Sequence, residues 1–223
     1  MALSRLKRAL RRAAVRDRAY RFLFEPGPAD ELVSIDCETT GLNRRKDDIV
    51  AVAAIKIRGE RILASQRLEI VVRPQARMSP DAIKIHRLRE ADVADGRAMS
   101  DALPELLRFI GGRPLVGYYL EFDLAMLNKH VRRFLGVALA NPRIEVSALY
   151  YRLKYGDAPP GVHVDLSFAS LIDDLDLPML DQHDAYSDAL MTAMIYMALR
   201  DRLRRGARIP RQRAKGVHHF SAG

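Results

Sequence analysis

The sequence has no tryptophan and a single cysteine, Cys37, among its 223 residues. One thiol cannot form an internal disulfide or a cysteine-rich zinc site, and this usage is typical of a reducing compartment, so we expect a cytoplasmic protein. Aromatic residues make up 7% of the chain, which predicts no strong platform for stacking single-stranded bases. No apolar run approaches the roughly 18 residues of a membrane span, and no secretory hydrophobic segment follows Met1.

The positive charge is concentrated at the two ends of the chain. The formal net charge is +9, of which residues 1–25 carry +6 and residues 200–223 carry +7, so the remainder carries −4. A mildly acidic globule with basic ends suits a protein that holds metal-binding carboxylates while its ends attract a polyanion such as nucleic acid. The alternative is that the ends are solvated or bind another protein.

The chain divides into a main domain and two basic appendages. Residues 1–28 predict a basic amphipathic helix with Leu3, Leu6 and Leu10 on one face and arginines on the other, ended by prolines. Residues 29–204 form the predicted domain, and residues 205–223 form a basic tail. Two roles stay open for the helix: its leucines pack as a brace, or its basic residues contact phosphates. The basic residues in question are Arg5, Lys7, Arg8, Arg11 and Arg12.

The domain itself reads as three strands, then helices, then alternating strands and helices. The pattern changes to period two after Glu31, and a Gly59-Glu60 turn joins the second and third strands as a hairpin. Ser79 and Ser100 are predicted to cap helices. The predicted strands are residues 32–37, 49–57, 61–72, 115–116 and 143–146. The main predicted helices are residues 101–110, 120–135, 147–154, 166–174 and 184–204. This order predicts an α/β fold with a mixed five-stranded sheet and helices on both faces.

Two acids stand at the end of the first predicted strand. Side chains alternate along a strand, so Asp36 and Glu38 point to one face and Cys37 to the other. Two buried, unpaired carboxylates repel each other at a cost of several kcal/mol. A divalent cation offsets this repulsion, and oxygen-only ligation favours Mg²⁺ or Mn²⁺. The pair alone is also compatible with a solvated strand end.

Three segments in order carry a resemblance to a known family. They are residues 36–42 (DCETTGL), residues 115–127 (LVGYYLEFDLAML) and residues 183–188 (HDAYSD). Together they resemble the DEDDh 3′→5′ exonucleases, the group that includes the proofreading epsilon subunit of bacterial DNA polymerase III and ribonuclease T. The family more often has His-Asn where this chain has Tyr118-Tyr119. The resemblance spans residues 32–199 and implies a ribonuclease-H-like fold.

The third segment also carries a geometric expectation. Five residues of a continuous helix turn through about 500°, which would leave His183 and Asp188 roughly 140° apart. The two side chains therefore share a site only if His183 precedes the helix and Asp188 lies inside it.

The resemblance assigns roles to the residues of these segments. Asp36, Glu38, Asp123 and Asp188 would hold two divalent metal ions, Mg²⁺ or Mn²⁺, and His183 would act as general base. The family's close-approaching turn and short helix imply substrate contacts at Thr39, Thr40, Gly41 and His86, although the family's glycine after that histidine is Arg87 here.

The implied activity is metal-dependent hydrolysis at the 3′ end of DNA with release of nucleoside monophosphates. RNA 3′-end trimming is an alternative that no motif separates from it, and a non-catalytic nucleic-acid-binding module is another. Nucleic acid is the expected partner, and a replication or repair protein is a possible second one. The tail contains no glutamine-led apolar peptide of the kind that docks on a sliding clamp.

Overall fold

The protein is described here from a computed structural model, in which residues 2–181 and 183–211 are placed. Five strands form one sheet in the order β3-β2-β1-β4-β5. The strands are β1 (Glu31–Thr39), β2 (Ile49–Arg58), β3 (Arg61–Val71), β4 (Leu115–Gly117) and β5 (Arg143–Glu145). β1, β2 and β3 are successively antiparallel, while β4 pairs in parallel with β1 and β5. The mixed five-stranded sheet predicted from the sequence is confirmed.

Helices cover both faces of this sheet, as predicted. They are α1 (Ala2–Ala14), α2 (Pro80–His86), α3 (Glu90–Val93), α4 (Met99–Ile110), α5 (Leu120–Leu135), α6 (Val146–Lys154), α7 (Phe168–Asp174) and α8 (Ala185–Arg205). Buried residues of α4 and α5 share one core with alternate residues of β1, whereas α6, α7 and α8 form a second core with β4. No helix in the described ranges combines the length and apolar content needed to cross a membrane.

The start of α4 differs from its prediction. Ser100 was expected to cap this helix, but the cap is Ala98, whose carbonyl accepts from the amides of Asp101 and Ala102 at 3.0 and 3.1 Å. The side chain of Ser100 bonds instead to the Asp101 carboxylate. The backbone of Arg97 bonds to both Val71 and Arg73 beside the sheet. These bonds fix where the chain turns into the helix, so a hydroxyl cap is not needed there.

The N-terminal segment also departs from the sequence-based expectation. α1 ends at Ala14, well before the prolines, and a 3₁₀ helix (Arg18–Phe24) capped by Asp17 follows it. Leu6 and Leu10 are 59% and 61% exposed, so of the two roles left open for this helix, a brace packed through these two leucines is wrong. The Leu3 side chain lies outside the described residues.

Polar contacts hold α1 against the domain in place of the leucines. Arg8 donates to the carbonyl of Gly112 at 2.7 Å, and Arg11 donates to the carbonyl of Leu139. Loop carbonyls need donors, and long arginine side chains supply them while their stems cover the surface. The side chains of Arg5 and Lys7 lie outside the described residues.

Candidate active site

The end of β1 presents its acids to the face covered by α8. Cys37 packs in the core beneath α4 and α5, and Asp36 and Glu38 point the other way, as the strand alternation predicts. A bulge follows Glu38, because β2 carries one extra residue between the partners of Glu38 and Thr39. Bulges bend a strand and re-aim its side chains. This bulge lies where β1 leaves the sheet, next to the acids of the site.

Small residues let α8 lie close to this end of the sheet. Ala53, the partner of Asp36 on β2, packs against Ala185 and Ala189 of α8. The hydroxyl of Ser34 donates to the carbonyl of Ala189 at 2.8 Å. This approach brings the first turn of α8 to the acids of β1. One carboxylate oxygen each of Asp36, Glu38 and Asp188 lie within 4.8 Å of one another.

Asp123 comes to the site from the opposite layer, in the first turn of α5. Its side chain is 4% exposed, and its Oδ2 has no hydrogen-bond partner in the described part of the chain. It is not part of the 4.8 Å group. Its charge nevertheless helps to raise the pKa of Asp36, ahead of the charges of Glu38 and Asp188. The four predicted acids therefore form one electrostatic cluster, with Asp123 at its outer side.

The pKa values of the four acids in this cluster are raised by burial and by repulsion from neighbouring carboxylates. Burial, followed by the neighbouring carboxylates, raises the pKa of Asp36 and of Asp123 well above the usual range. Burial and the charges of Asp188 and Asp184 raise the pKa of Glu38 to about 7. The pKa of Asp188 is raised as well, mainly by burial.

Among the described residues, no lysine or arginine offsets this repulsion by pairing with the acids. Within residues 2–181 and 183–211, no lysine or arginine forms an ion pair with any of the four carboxylates. A buried, unpaired oxygen on Asp123 and a carboxylate-only donor set fit a hard divalent cation such as Mg²⁺ or Mn²⁺.

His183 precedes α8, as the helical geometry requires. α8 begins at Ala185 with Asp184 as its cap, so His183 lies in the approach and Asp188 in the first turn. The backbone of His183 is left-handed, with φ 67°, and its N–H donates to Asp188 Oδ2 at 3.1 Å. The exposed imidazole lines a cavity of about 340 Å³ with Asp36 and Asp188. The histidine thus shares a cleft with the acids.

A second groove of about 700 Å³ adjoins the acids on the α5 side. Thr39, Gly41 and His86 line it together with Glu38 and Asp123. The His86 ring is 4% exposed, its Nδ1 accepts from the amide of Leu88, and its Nε2 has no partner in the described ranges. Burial lowers the pKa of His86, which favours the neutral ring.

Thr40 is turned away from both cavities. It is fully buried, its amide donates to the carbonyl of Asp48 at 2.8 Å, and its hydroxyl accepts from the amide of Asp48 at 2.9 Å. The hydroxyl in turn donates to Asp47 Oδ1 at 3.4 Å, so both polar groups of Thr40 are used inside the turn and are not available to a ligand. Gly41 is needed for a related reason, since a Cβ there would lie 2.6 Å from the Asp47 carboxylate.

Both departures from the family pattern fall at left-handed residues. Arg87, in place of the family's glycine, ends α2 with φ 60°, and Tyr119, in place of asparagine, precedes α5 with φ 54°. Glycine and asparagine tolerate this region better than other residues. Arg87 and Tyr119 therefore carry local backbone strain in this chain.

Sequence reasoning did not single out three residues beside the acids. Glu145 accepts from the amides of Tyr119 and Leu120, and its charge contributes to the raised pKa of Asp123. Asp184 caps α8 and raises the pKa of Glu38. Phe168 lines the cavity of His183. Of these three residues, only Asp184 could have been found from the sequence, because it is an acid inside the third segment.

Comparisons with known sequences agree with the geometry. The family model described as exonuclease matches residues 33–196. A PolC-type DNA polymerase III of Caldanaerobacter subterraneus subsp. tengcongensis is 28% identical over 173 residues, which are 78% of this chain and 12% of that protein. The DNA polymerase III subunit epsilon of Aquifex aeolicus is 25% identical over 171 residues, which are 77% of this chain and 81% of the subunit. The chain thus spans about an eighth of the PolC-type relative.

Solved structures show the same fold. Exonuclease X in complex with 5′ overhanging duplex DNA matches with a TM-score of 0.58 at 28% identity, over 76% of this chain and 91% of that one. E. coli exonuclease I in complex with a dA16 oligonucleotide matches with a TM-score of 0.66 at 17% identity, over 79% and 42% of the two chains. Since the family model covers the acids of β1, α5 and α8 in one continuous match, the chain belongs to the exonuclease family.

Proposed function

We propose that this exonuclease is of the DEDDh type and hydrolyses DNA from the 3′ end, releasing nucleoside monophosphates. The observation that carries the proposal is the cluster of buried and partly buried carboxylates that no lysine or arginine of the described residues pairs with, with a histidine in the same cleft. The relatives named as DNA polymerase III and the neighbour bound to duplex DNA support DNA as the substrate. The direction follows from the resemblance of the three segments.

Asp36, Glu38, Asp123 and Asp188 would hold two divalent cations, Mg²⁺ or Mn²⁺. When bound, these would stabilise the charge on the scissile phosphate and lower the pKa of a water. An imidazole nitrogen of His183 would accept the proton of the attacking water, the role that histidines most often play in general acid–base catalysis.

The remaining residues of the cleft would position the substrate. Thr39, Gly41 and His86 line the groove beside the acids and would contact the terminal nucleotide. Thr40 would act through the shape of the turn, since its own donors are engaged. In this proposal residues 29–204 are the exonuclease domain, and residues 1–28 and 205–223 are appendages. The tail from residue 212 onward lies outside the described residues.

The test compares labelled DNA and RNA oligomers of one sequence, each carrying a distinct fluorophore at either end. With Mg²⁺ or Mn²⁺ we expect the 3′ label to be released first from DNA as a mononucleotide, and no release with EDTA or with Asp36→Asn. Earlier release of the 5′ label would contradict the direction. Faster release from RNA would make the chain a 3′-end trimming ribonuclease, and binding without release under any metal would make it a binding module.

A further inference from the structure

A second, strongly basic depression lies beyond the groove of the acidic site. The loop between β1 and β2 and the helix α5 enclose a cavity of about 380 Å³ there. Four cationic side chains line it: Arg45, Lys46, Lys129 and Arg133. Asp47, Asp48 and His130 complete its charged lining. We call this cavity the basic depression.

The carboxylates of the basic depression are already engaged. Asp47 Oδ2 accepts from the amide of Asn43 at 2.6 Å. Asp48 Oδ1 bonds to His130 Nε2 at 2.9 Å, and its Oδ2 accepts from the amide of Gln75 at 3.1 Å. Despite the partial burial of Asp48, these donors lower its pKa to about 2.

The four cations are left without acidic partners. In the described ranges, none of Arg45, Lys46, Lys129 and Arg133 forms an ion pair. Lys129 donates to the backbone carbonyl of Asp47, which ties α5 to the loop. The four positive charges of the depression are therefore not paired with any acidic side chain of the described residues.

The basic depression continues the groove of the acidic site along two walls. On α5, Phe122 lines the groove, and Lys129 and Arg133 line the depression. These residues are 7 and 11 positions apart from Phe122, so all three lie within about 20° of one line along a helix. On the facing loop, Arg44 lines the groove and lies over the Phe122 ring, while the next residue, Arg45, lines the depression.

We propose that the basic depression binds backbone phosphates of the nucleic-acid strand whose 3′ end lies at the acidic site. This inference rests on the proposed function. The stripe from Phe122 to Arg133 is roughly 16 Å long at 1.5 Å per residue, a length that covers roughly five phosphates at one per 3.4 Å of B-form strand. An acidic cluster repels the same polyanion that it must cut, and unpaired cations farther along the strand offset that repulsion.

The composition of the depression favours phosphate over a protein partner. Ala76 is its one apolar lining residue among the described ones, whereas protein interfaces bury an apolar centre. Arginine forks match phosphate oxygens in bidentate geometry. The substrate contacts would thus extend well beyond the terminal nucleotide.

The experiment measures binding without hydrolysis, in EDTA, by fluorescence anisotropy of single-stranded DNA at several salt concentrations. The variant is Arg45→Gln with Arg133→Gln, and the matched control is Arg108→Gln with Arg132→Gln. All four arginines are exposed and none forms an ion pair in the described ranges, but Arg108 and Arg132 lie outside the depression. A short oligomer that fills only the groove is compared with a long one that also reaches the depression.

We expect the depression variant to bind the long oligomer on the order of tenfold more weakly and to lose about 0.7 per removed contact from the slope of log affinity against log salt. Its affinity for the short oligomer should be unchanged, and the control pair should match the wild type. Equal losses in both pairs, or an unchanged slope in the depression variant, would overturn the inference. Hydrolysis with Mg²⁺ is assayed separately, so a wild type that binds but does not cut would refute the proposed function alone.

Discussion

Strand β1 carries a buried carboxylate near each of its ends, and the two ends differ in whether cationic side chains pair with it. At its start, Glu31 is 6% exposed and accepts from Arg58 Nε at 2.8 Å and from Arg113 Nε at 2.7 Å. Burial alone would raise the pKa of Glu31, but these arginines outweigh it and the pKa is lowered. At its end, no lysine or arginine in the described ranges pairs with Asp36 or Glu38, and burial and the neighbouring carboxylates raise their pKa values.

The contrast is what the proposed function requires, with a structural carboxylate at the start of β1 and metal-binding carboxylates at its end. The chain has 37 lysines and arginines, so cations were available for both ends of the strand. A buried acid that serves only the fold is paired, because an unpaired one costs several kcal/mol. At the end of β1, the unrelieved repulsion between carboxylates lowers the stability of the metal-free protein. The same carboxylates remain free to bind a metal ion. Functional sites commonly sacrifice stability in this way.

The largest effect expected from this comparison is that of Asp36→Asn. Losing one electrostatic contact in a transition state costs 10²–10³ in rate. Because Asp36 is central to the cluster, we expect hydrolysis to fall by at least about 10³-fold. The same variant removes a like charge from the cluster, so the metal-free protein should be more stable at neutral pH, because burial and the neighbouring carboxylates raise the pKa of Asp36. Urea unfolding and the oligomer assay measure the two changes.

The comparison requires that Asp36→Asn lowers the rate of hydrolysis and raises the stability of the metal-free protein. If Asp36→Asn destabilised the metal-free protein, the acidic end of β1 would be a structural carboxylate like Glu31. Adding Mg²⁺ should raise the stability of the wild type more than that of the variant, by mass action on the folded state.

The next effect concerns His183→Ala. Loss of a general base lowers turnover by about 10²–10⁴-fold. Since the side chain is exposed, the stability of the metal-free protein should hardly change. His163→Ala is the matched control, because His163 is also exposed and lines none of the described cavities of the site. Wild-type turnover in His183→Ala across neutral pH would show that the water is activated by another group.

The sequence predicted the sheet from local patterns and the members of the cluster from the resemblance of three segments to a known family. Alternation along β1 places Asp36 and Glu38 on one face, and helical geometry requires His183 to precede α8. The helix boundaries were harder to predict from the sequence. The start of α4, for example, is fixed by backbone hydrogen bonds between Arg97 and the sheet.

Long-range contacts explain what the sequence could not predict. Glu145 reaches the N-terminus of α5 from 25 residues away in the chain, and its residue type carried no signal for that role. The amphipathic pattern of α1 predicted buried leucines, but the tertiary partners offered to this helix are the carbonyls of Gly112 and Leu139. Hydrophobic periodicity identifies a helix and does not identify what it contacts.

A smaller effect is expected at the paired end of β1. Glu31→Gln leaves Arg58 and Arg113 without their acid; removing one partner of a fully buried pair costs 3–5 kcal/mol, and the 48% exposure of Arg58 reduces this to about 2 kcal/mol. The pKa of Glu31 is lowered from its ordinary value of 4.5. Its contribution to stability is therefore present above that value and is lost as the pH falls through the folded-state pKa.

Unfolding measured between neutral and acid pH tests this sign. The gap between wild type and Glu31→Gln should narrow in acid. Glu60→Gln is the control, since Glu60 pairs with Arg204 at 68% exposure and should change stability by less than about 1 kcal/mol. A gap that widened in acid would contradict the lowered pKa.

The smallest effect tests whether the cations of α1 serve the fold, like Arg113, or the substrate, like those of the basic depression. Deleting residues 1–25 cannot decide this, because it would also remove Leu23 and Phe24 from the core. Arg8→Ala removes one partly buried hydrogen bond to Gly112 and should lower stability by about 1 kcal/mol. The salt slope of DNA binding should stay unchanged. Arg18→Ala, at an exposed position of the 3₁₀ helix, is the control and should change neither quantity. A slope reduced by ~0.7 in Arg8→Ala with unchanged stability would instead make α1 a phosphate-contacting arm.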